Sequence, residues 1–429
     1  MTIALKNTVS RLATAAAVVL GLSAPAWAAT EIEWWDFLAG GDGVRMKALI
    51  QEFNAEHPDI NIKGTTLEWG LPFYTKVRTS VAVGEGPDIM TYHLSRLPLA
   101  LEEGTLSPIT AEDLETAGIS SGDFFEASIA AASDADGQLM AVPFDIHAIV
   151  MYYNRTALEG TEWLGDDGNL TNLDSVEDMT ALLTWAKGQG YSDPLSFQSE
   201  GGGGTWRVFY TLLSQQGGEM LTDGEVLAGD NFDKAVKAIS IMADWRAAGL
   251  IPEQASYEAS VALFSGKKSV LHMNGVWEVP TFKDSTEADT LGFDWFANEI
   301  PQLLEQPATW ADSHAFAIPA NPEMSAEQRA AVMTVIGWME KHSLAWAGAG
   351  HIPAYKPTVD SDDYAALQPN ATYASLAEHA SFDPRSKIAG VASPIYNAVD
   401  TLIAPAVHGF LSPEEAAQQM KDELSSMLN

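Results

Sequence analysis

The sequence predicts an α/β protein with two domains, and three observations support this expectation. A chain of 429 residues is longer than a single hydrophobic core ordinarily supports, so it is expected to divide into two. In its first quarter, apolar segments of strand length alternate with helical segments, which favours a mostly parallel sheet with helices on both faces. The remainder is more helical and is interrupted by short apolar strands.

The first quarter of the chain contains the clearest alternation. Turn residues separate its segments, such as the Gly84-Glu85-Gly86-Pro87 stretch that ends the second helix. Ligands of such sheets bind at the carboxyl ends of the strands, so the residues after each strand are candidates for a site. The predicted elements are a strand at 31–37, a helix at 44–53 capped by Asp42, a strand at 60–67, a helix at 74–83 and a strand at 88–92.

The later elements are predicted mainly from capping signals and short apolar runs. No internal repeat is evident, and residues 160–174 and 199–204 have the composition of surface loops. The predicted elements are strands at 142–153, 268–273 and 315–318, a helix from Asn231 to about Gly249, and helices opened by the capping boxes Ser325–Gln328 and Ser412–Glu415.

The composition indicates a strongly acidic protein. The 58 acidic and 23 basic residues give a formal net charge of −35. Such a surface repels phosphate backbones and anionic lipid, so neither nucleic acid nor a membrane surface is an expected partner. The chain has no cysteine, which excludes disulfides, thiolate metal ligands and a cysteine nucleophile.

The N-terminus resembles a cleavable signal peptide. Lys6 and Arg11 form a basic region, residues 12–22 form an apolar run too short to span a membrane, and Ala26-Trp27-Ala28 fits an A-x-A cleavage site. Residues 1–28 are therefore predicted to be removed. Because no cysteine is available for lipidation, we expect a mature protein in the periplasm that is neither lipid-anchored nor inserted in the membrane.

Enzyme signatures are mostly absent, and no catalytic residue, cofactor or metal site is predicted. Neither a G-x-S-x-G elbow nor an H-E-x-x-H motif occurs. Residues 265–269 resemble a phosphate-binding loop only loosely, because Lys268 stands where Ser or Thr must follow the lysine. The nine histidines show no metal-ligand spacing. A catalytic pair of glycosidase carboxylates is not excluded by counting, since 58 acidic residues offer many candidates.

Tryptophan is the distinctive residue of this chain, which contains 13 of them. A sugar ring has apolar C–H faces and a polar rim, so a sugar site needs flat aromatic faces bordered by hydrogen-bonding side chains. Any single tryptophan is as readily explained by core packing. Those beside turn residues at predicted strand ends are Trp34, Trp35, Trp69, Trp206, Trp277 and Trp310.

Four motifs, in order along the chain, resemble carbohydrate-binding, maltose-binding-protein-like solute-binding proteins of ABC importers. The resemblance covers essentially the whole mature chain, although a Pro-x-Thr-Trp helix start found in many members is replaced by Asn172–Glu177. The motifs are Gly84-Glu85-Gly86-Pro87-Asp88-Ile89, the segment Asp136–Asp145 continued by Met151-Tyr152-Tyr153-Asn154-Arg155, the segment Phe264–Trp277, and Gly350-His351-Ile352-Pro353.

The resemblance implies a two-lobed periplasmic-binding-protein fold with discontinuous lobes and a ligand cleft between them. One lobe is expected to contain residues 29–142 and about 300–342, and the other about 143–299 and 343–429. It also implies a non-catalytic monomer that binds a sugar or sugar derivative, closes around it and delivers it to the membrane permease subunits. The alternatives are a secreted carbohydrate-active enzyme and a chemoreceptor-linked sensor on the same fold.

The same resemblance places ligand-binding residues at the strand ends and crossovers of the two lobes. His147 could instead be a satisfied buried histidine, Arg96 a surface ion pair and Asp88 a turn cap. The full set of candidates is Trp35, Asp36, Trp69, Asp88, Tyr92, His93, Ser95, Arg96, Asp145, His147, Trp206, Asn274, Trp277, Trp310, Asp312 and His314.

Overall fold

A computed structural model describes residues 29–201 and 203–428 of the chain. The predicted signal peptide, residues 1–28, lies outside the described residues. Within them the strands, numbered β1 to β14 in chain order, are Thr30–Asp36, Ile60–Thr66, Ile89–His93, Val142–Pro143, Asp145–Asn154, Leu195–Ser196, Leu221–Thr222, Glu225–Val226, Leu271–Gly275, Trp295–Asn298, Thr309–Asp312, His314–Ala317, Ile352–Pro353 and Ala380–Phe382.

Helices surround these strands, and several begin or end at signals visible in the sequence. Ser325 and Ser412 cap their helices as expected, and the Ser412 box is reciprocal, since Glu415 accepts from the Ser412 backbone N–H at 3.0 Å. The α-helices are Gly40–Glu56, Leu71–Val81, Leu97–Glu103, Ala111–Ala117, Glu126–Ala132, Arg155–Leu158, Val176–Gly188, Gly204–Gln215, Asn231–Ala247, Tyr257–Ser265, Val279–Glu287, Ala326–Lys341, Ser343–Ala347, Lys356–Val359, Asp362–Ala365, Pro394–Ala398, Ala404–Val407 and Pro413–Leu428.

Two sheets organise the molecule. The first has the strand order β2-β1-β3-β12-β4, and its β1 pairs in parallel with β2 and β3. The second has the order β14-β11-β5-β9-β6, with β10 and β13 also pairing with β5. The expected parallel arrangement holds for the first strands, whereas β5 pairs antiparallel with β9, β10, β11 and β13. Each sheet has its own apolar core, which fits a two-lobed α/β architecture.

The chain passes from one sheet to the other at two short strand junctions, and it crosses a third time between β12 and β13. Phe144 separates β4 from β5, and Ser313 separates β11 from β12. Thr309–Asp312 therefore pairs in the second sheet, so this crossing lies later than the boundary near residue 300 that the sequence suggested. The first helix also differs from expectation, because it begins at Gly40 and Asp42 lies in its first turn rather than at its cap.

The same local design occurs once in each lobe. After β3 a 3₁₀ turn, Leu94–Arg96, leads into a helix with Pro98 in its first turn. After β9 a 3₁₀ turn, Val276–Glu278, leads into a helix with Pro280 in its first turn. The first turn of a helix tolerates proline, because a backbone N–H at that position would have no partner within the helix. Both units place residues at the carboxyl end of a strand, where the two sheets face each other.

Candidate functional site

A cavity of about 560 Å³ lies between the two sheets. Its size falls within the range of small-molecule sites, about 300–1,000 Å³. Residues from both sheets and their flanking loops form it, so a bound molecule would contact both lobes. The lining residues are Phe37, Leu38, Ala39, Gly40, Gly41, Asp42, Trp69, His93, His147, Gln198, Arg207, Tyr257, Glu258, Trp277, Glu278, Thr281, Trp310, His314 and Val391.

The carboxyl ends of four strands supply much of this lining. Residues 37–42 follow β1, Trp69 follows β2, His93 ends β3 and Trp277 follows β9. A strand end leaves its next residues free of sheet hydrogen bonds, so their side chains can turn toward a ligand. The position of the cavity is therefore a consequence of the sheet topology.

Three tryptophans form the aromatic walls of the cavity. Trp277 and Trp310 meet edge to face, with ring centroids 6.5 Å apart and an interplanar angle of 86°. Trp277 donates its indole N–H to the Tyr257 hydroxyl at 2.8 Å, which fixes the ring. Trp69 is 41% exposed and meets the edge of His93. Flat apolar surfaces of this kind suit the C–H face of a sugar ring.

Gly275 allows the Trp277 ring to lie directly on the backbone. A Cβ placed at Gly275 would come within 2.2 Å of three ring atoms of Trp277. The backbone of Gly275, at φ −70° and ψ 157°, is one that any residue adopts. The requirement for glycine at this position is therefore the close approach of the indole, not an unusual backbone angle.

Arg207 is the basic group of the lining. Its guanidinium lies 5.0 Å from the ring centroid of Trp277 and 4.8 Å from that of Trp310. The residue is only 7% exposed, and its Nε has no hydrogen-bond partner among the described residues. The arginine therefore offers donors to an acceptor in the cavity, such as a hydroxyl, carboxylate or phosphate oxygen.

Carboxylates also belong to the lining, at Asp42, Glu258 and Glu278. Glu278 accepts a very short hydrogen bond from the Tyr257 hydroxyl. Burial raises the pKa of Glu278, and burial together with the Glu278 charge raises the pKa of Tyr257 well above its usual value. These acceptors complement the arginine, so the cavity can bind both donors and acceptors of a polyhydroxylated molecule.

Below the cavity floor, the carboxylate of Asp145 connects three separate chain segments. His147 Nδ1 lies 3.0 Å from its Oδ1, and His314 Nδ1 lies 2.8 Å from its Oδ2. The Trp346 indole donates to Oδ2 at 2.7 Å, and His351 Nδ1 lies 3.1 Å from the same oxygen. Asp145 therefore ties both strand junctions and the segment around residue 351 together between the lobes.

The charge states of this cluster follow from burial and the two nearby carboxylates. Burial lowers the pKa of His351, but Asp42 and Asp145 outweigh it and raise that pKa to about 10, so the ring is a cation. Burial raises the pKa of Asp145, but the neighbouring histidines hold it well below its usual value. Burial lowers the pKa of His147 to about 3, so that ring is neutral.

Of the residues predicted from sequence, six lie in the cavity lining: Trp69, His93, His147, Trp277, Trp310 and His314. Four more lie directly behind it. Asp145 is the buried acceptor just described, and Asp312 accepts the Ser95 hydroxyl at 2.5 Å. The Oδ1 atom of Asn274 accepts the Gly275 backbone N–H at 2.8 Å. These four position the lining rather than form it.

The other six predicted residues lie away from the lining. Three are held by partners in the first lobe: Lys76 lies over the Trp35 ring, Asp36 accepts the Leu38 N–H at 3.0 Å, and Asp88 accepts the Glu33 N–H at 2.8 Å.

Aromatic packing and burial account for the remaining three. Tyr92 and Arg96 both pack on Tyr74. Trp206 is fully buried, and it donates to Asp383 at 2.8 Å.

Several lining residues had no sequence signal as ligand contacts. Tyr257 and Glu258 begin a helix, and Thr281 lies in the first turn of another. Their role depends on the two helix starts facing the same cavity, which only the tertiary fold establishes. Glu278 could have been inferred, because it is the residue after Trp277.

The chain belongs to a family described as bacterial extracellular solute-binding proteins, whose profile matches residues 48–370. Among curated relatives it is similar to the sn-glycerol-3-phosphate-binding periplasmic protein UgpB of Agrobacterium fabrum, with 27% identity over 160 residues, 35% of each chain. The counterpart in Yersinia enterocolitica is 26% identical over 200 residues, 43% of each chain. The match therefore spans about a third to under a half of these relatives.

Solved structures of low identity share the whole fold. The GacH receptor of Streptomyces glaucescens, solved unliganded and with acarbose, aligns with a TM-score of 0.77 at 16% identity, covering 93% of this chain and 98% of that one. An ABC substrate-binding protein of Listeria monocytogenes in complex with cycloalternan aligns at 0.75 and 18%, covering 93% and 99%. A maltotriose-bound MalE domain of Bdellovibrio bacteriovorus aligns at 0.71 and 16%, with the same coverage.

These comparisons confirm the expected family and the two-lobed α/β fold. The family and the structural neighbours are binding proteins rather than enzymes. Among the described residues, no helix combines the length and apolar character that crossing a membrane requires.

Proposed function

We propose that this protein is the solute-binding component of an ABC importer and binds a sugar or sugar derivative in the cavity between its lobes. The single observation that supports this most strongly is the lining itself. Trp277 and the exposed Trp69 provide apolar faces, and Arg207, Glu278 and His147 lie in the same lining. This combination of stacking surfaces and converging polar groups matches the chemistry of a sugar, with its apolar ring faces and hydroxyl rim.

The ligands bound by similar proteins support this class of transporter. One structural neighbour is an ABC substrate-binding protein with a bound cyclic saccharide, and another holds maltotriose. The curated relatives bind a phosphorylated polyol in the periplasm. Both neutral sugars and sugar phosphates therefore belong in a search for the ligand. Arg207 could donate hydrogen bonds to a negatively charged group such as a phosphate.

In this proposal the mature chain acts in the periplasm as a monomer without catalysis. Residues 1–28 have the composition of a cleavable leader, which ends in the Ala26-Trp27-Ala28 cleavage site. Intact-mass measurement of the exported protein checks this, with a mature start at Ala29 or Thr30 expected. Retention of residues 1–28 in the soluble exported form would contradict it.

Binding is proposed to act through closure of the two lobes. His314 and Trp69 belong to the first lobe, whereas Trp277 and Arg207 belong to the second. A ligand that contacts both sets binds the closed arrangement better than the open one, and this difference in affinity shifts the population. The permease would then recognise the closed form.

The proposal is tested by a thermal-shift screen of the mature protein against neutral sugars, polyols, uronic acids and sugar phosphates. A ligand at about a hundred times its dissociation constant stabilises the folded state by roughly 2.7 kcal/mol, which is a measurable shift. A hit that the protein also hydrolyses, seen by chromatography of the recovered sugar, would replace the binding role with an enzymatic one. No shift with any member of the panel would contradict a sugar-like ligand.

A further inference from the structure

Three imidazole rings line the floor of the cavity with the same nitrogen already engaged. His147 and His314 direct Nδ1 at the Asp145 carboxylate, at 3.0 and 2.8 Å, and His93 Nδ1 lies 2.5 Å from the Tyr74 hydroxyl. The Nε2 atoms of these rings have no hydrogen-bond partner within residues 29–201 and 203–428. With the proton on Nδ1, each Nε2 carries a free lone pair.

Asp312 completes a set of metal donors with two of these rings. One ligand atom from each of His93, His147 and Asp312 can be chosen so that all lie within 4.8 Å of one another. Bond lengths of about 2.0–2.2 Å to a zinc ion place donor atoms roughly 3–4 Å apart, so a small inward movement suffices. Asp312 is fully buried. Its Oδ1 accepts from the backbone N–H groups of Ser95 and Ser313 and its Oδ2 from the Ser95 hydroxyl, which leaves Oδ2 a further lone pair for an ion. No lysine or arginine nitrogen pairs with it among the described residues.

We propose that His93, His147 and Asp312 form a site for a divalent transition-metal ion, Zn²⁺ foremost, at the floor of the cavity. Two imidazoles and one carboxylate are a donor set that zinc and its neighbours accept. Asp145 and Tyr74 are the outer-shell partners that hold the two rings in the required tautomer and orientation. Spacing along the sequence gives no sign of this site, because its members come from three separate strands.

A second group, Asp145 with His147, His314 and His351, is equally close but is not the proposed site. There the imidazole Nδ1 atoms already point at the Asp145 oxygens at 2.8 to 3.1 Å. The carboxylate fills the position that an ion would need, so this group supports the site rather than forms it.

The position of the site has a consequence for ligand recognition. His93 and His147 are part of the cavity lining, so the open coordination positions of the ion face the cavity. Oxygen atoms of a solute, such as a pair of vicinal hydroxyls or a hydroxycarboxylate, can occupy them. Binding of the ion alone does not depend on which solute the protein carries.

The test uses the full mature chain without an affinity tag, stripped with EDTA, and titrated calorimetrically with Zn²⁺ alone. We expect one zinc ion per chain. His93→Ala, His147→Ala and Asp312→Asn each weaken zinc binding by at least about 100-fold, since even outer-shell changes cost 10- to 100-fold. His57→Ala is the matched control and keeps the wild-type affinity, because His57 stacks on Phe53 away from the cavity.

Coordination of the ion by imidazole can also be detected in the wild-type protein, without any substitution. Cu²⁺ bound to the wild-type chain shows nitrogen hyperfine splitting from two imidazoles in its electron paramagnetic resonance spectrum if the assignment is correct. A spectrum of oxygen ligation only, or zinc affinity that the three substitutions leave unchanged, would assign the ion to surface carboxylates and overturn the proposal. Absence of zinc binding would also overturn the proposal. Sugar binding that persists in EDTA would then show that the binding function proposed above does not depend on the metal.

Discussion

Gly275→Ala is the substitution that most selectively probes the aromatic wall of the cavity. The alanine Cβ would lie 2.2 Å from three atoms of the Trp277 ring, whereas ordinary contacts begin at 3.4 Å. The indole must therefore move by about 1 Å or rotate away. The backbone at residue 275 already suits alanine, so the substitution adds no strain of its own.

Displacing the indole removes its stacking on the ligand and weakens its hydrogen bond to Tyr257. We expect ligand affinity to fall by about 1–3 kcal/mol, the scale of a buried aromatic contact, which is roughly 5- to 150-fold. The free energy of unfolding should fall by only about 1 kcal/mol, the net value of one hydrogen bond. Isothermal titration calorimetry and urea unfolding measure the two quantities.

Gly188→Ala is the matched control for this measurement. Gly188 ends a helix, and a Cβ there meets no atom within 4 Å, so affinity should stay at the wild-type value. If Gly275→Ala also binds the ligand with unchanged affinity, Trp277 does not stack on it, and our account of the cavity wall is wrong.

Three further predictions concern the buried cluster and the lobes. Asp145→Asn leaves the surrounding imidazoles without their carboxylate and should lower the free energy of unfolding, measured in urea, by about 3–5 kcal/mol. An unchanged unfolding midpoint would show that Asp145 does not hold these chain segments together. His351 has its pKa raised from 6.5 to about 10, so its stabilisation is fully present below pH 6.5 and is lost as pH rises toward 10. Urea unfolding from pH 7 to 10 should show a steeper loss in wild type than in His351→Gln, and equal slopes would refute the charge assignment. Saturating ligand should reduce the radius of gyration in small-angle scattering, and an unchanged profile would rule out lobe closure.

The sequence predicts the fold well where its local signals are strong. The strands at residues 60–66 and 89–93 and the helix from Asn231 were predicted to within a few residues. Periodicity and turn residues determine such elements locally. The antiparallel pairing of β5 could not be inferred in the same way, since pairing partners are set by the tertiary path of the chain rather than by its local composition.

The candidate site shows the same division. Trp277 was predicted because it follows a strand end and His147 because it follows Pro143, and both line the cavity. Trp206 was predicted by the same argument, but its helix buries it against Asp383. Composition cannot distinguish a tryptophan that faces a ligand from one that faces a core, because both need an apolar surface and a partner for the indole N–H. Tyr257 was missed because a helix start carries no comparable signal.

The central claim is that the cavity between the lobes binds a sugar-like solute against Trp277. Its most direct test is isothermal titration calorimetry of the wild-type chain and Trp277→Ala with the best ligand from the thermal-shift screen. Our account predicts saturable binding of one ligand per chain, weakened by about 1–3 kcal/mol in Trp277→Ala but not in Trp245→Ala, whose indole is buried in a helix of the second lobe. Equal affinity of Trp277→Ala and wild type would contradict the account and place the ligand elsewhere.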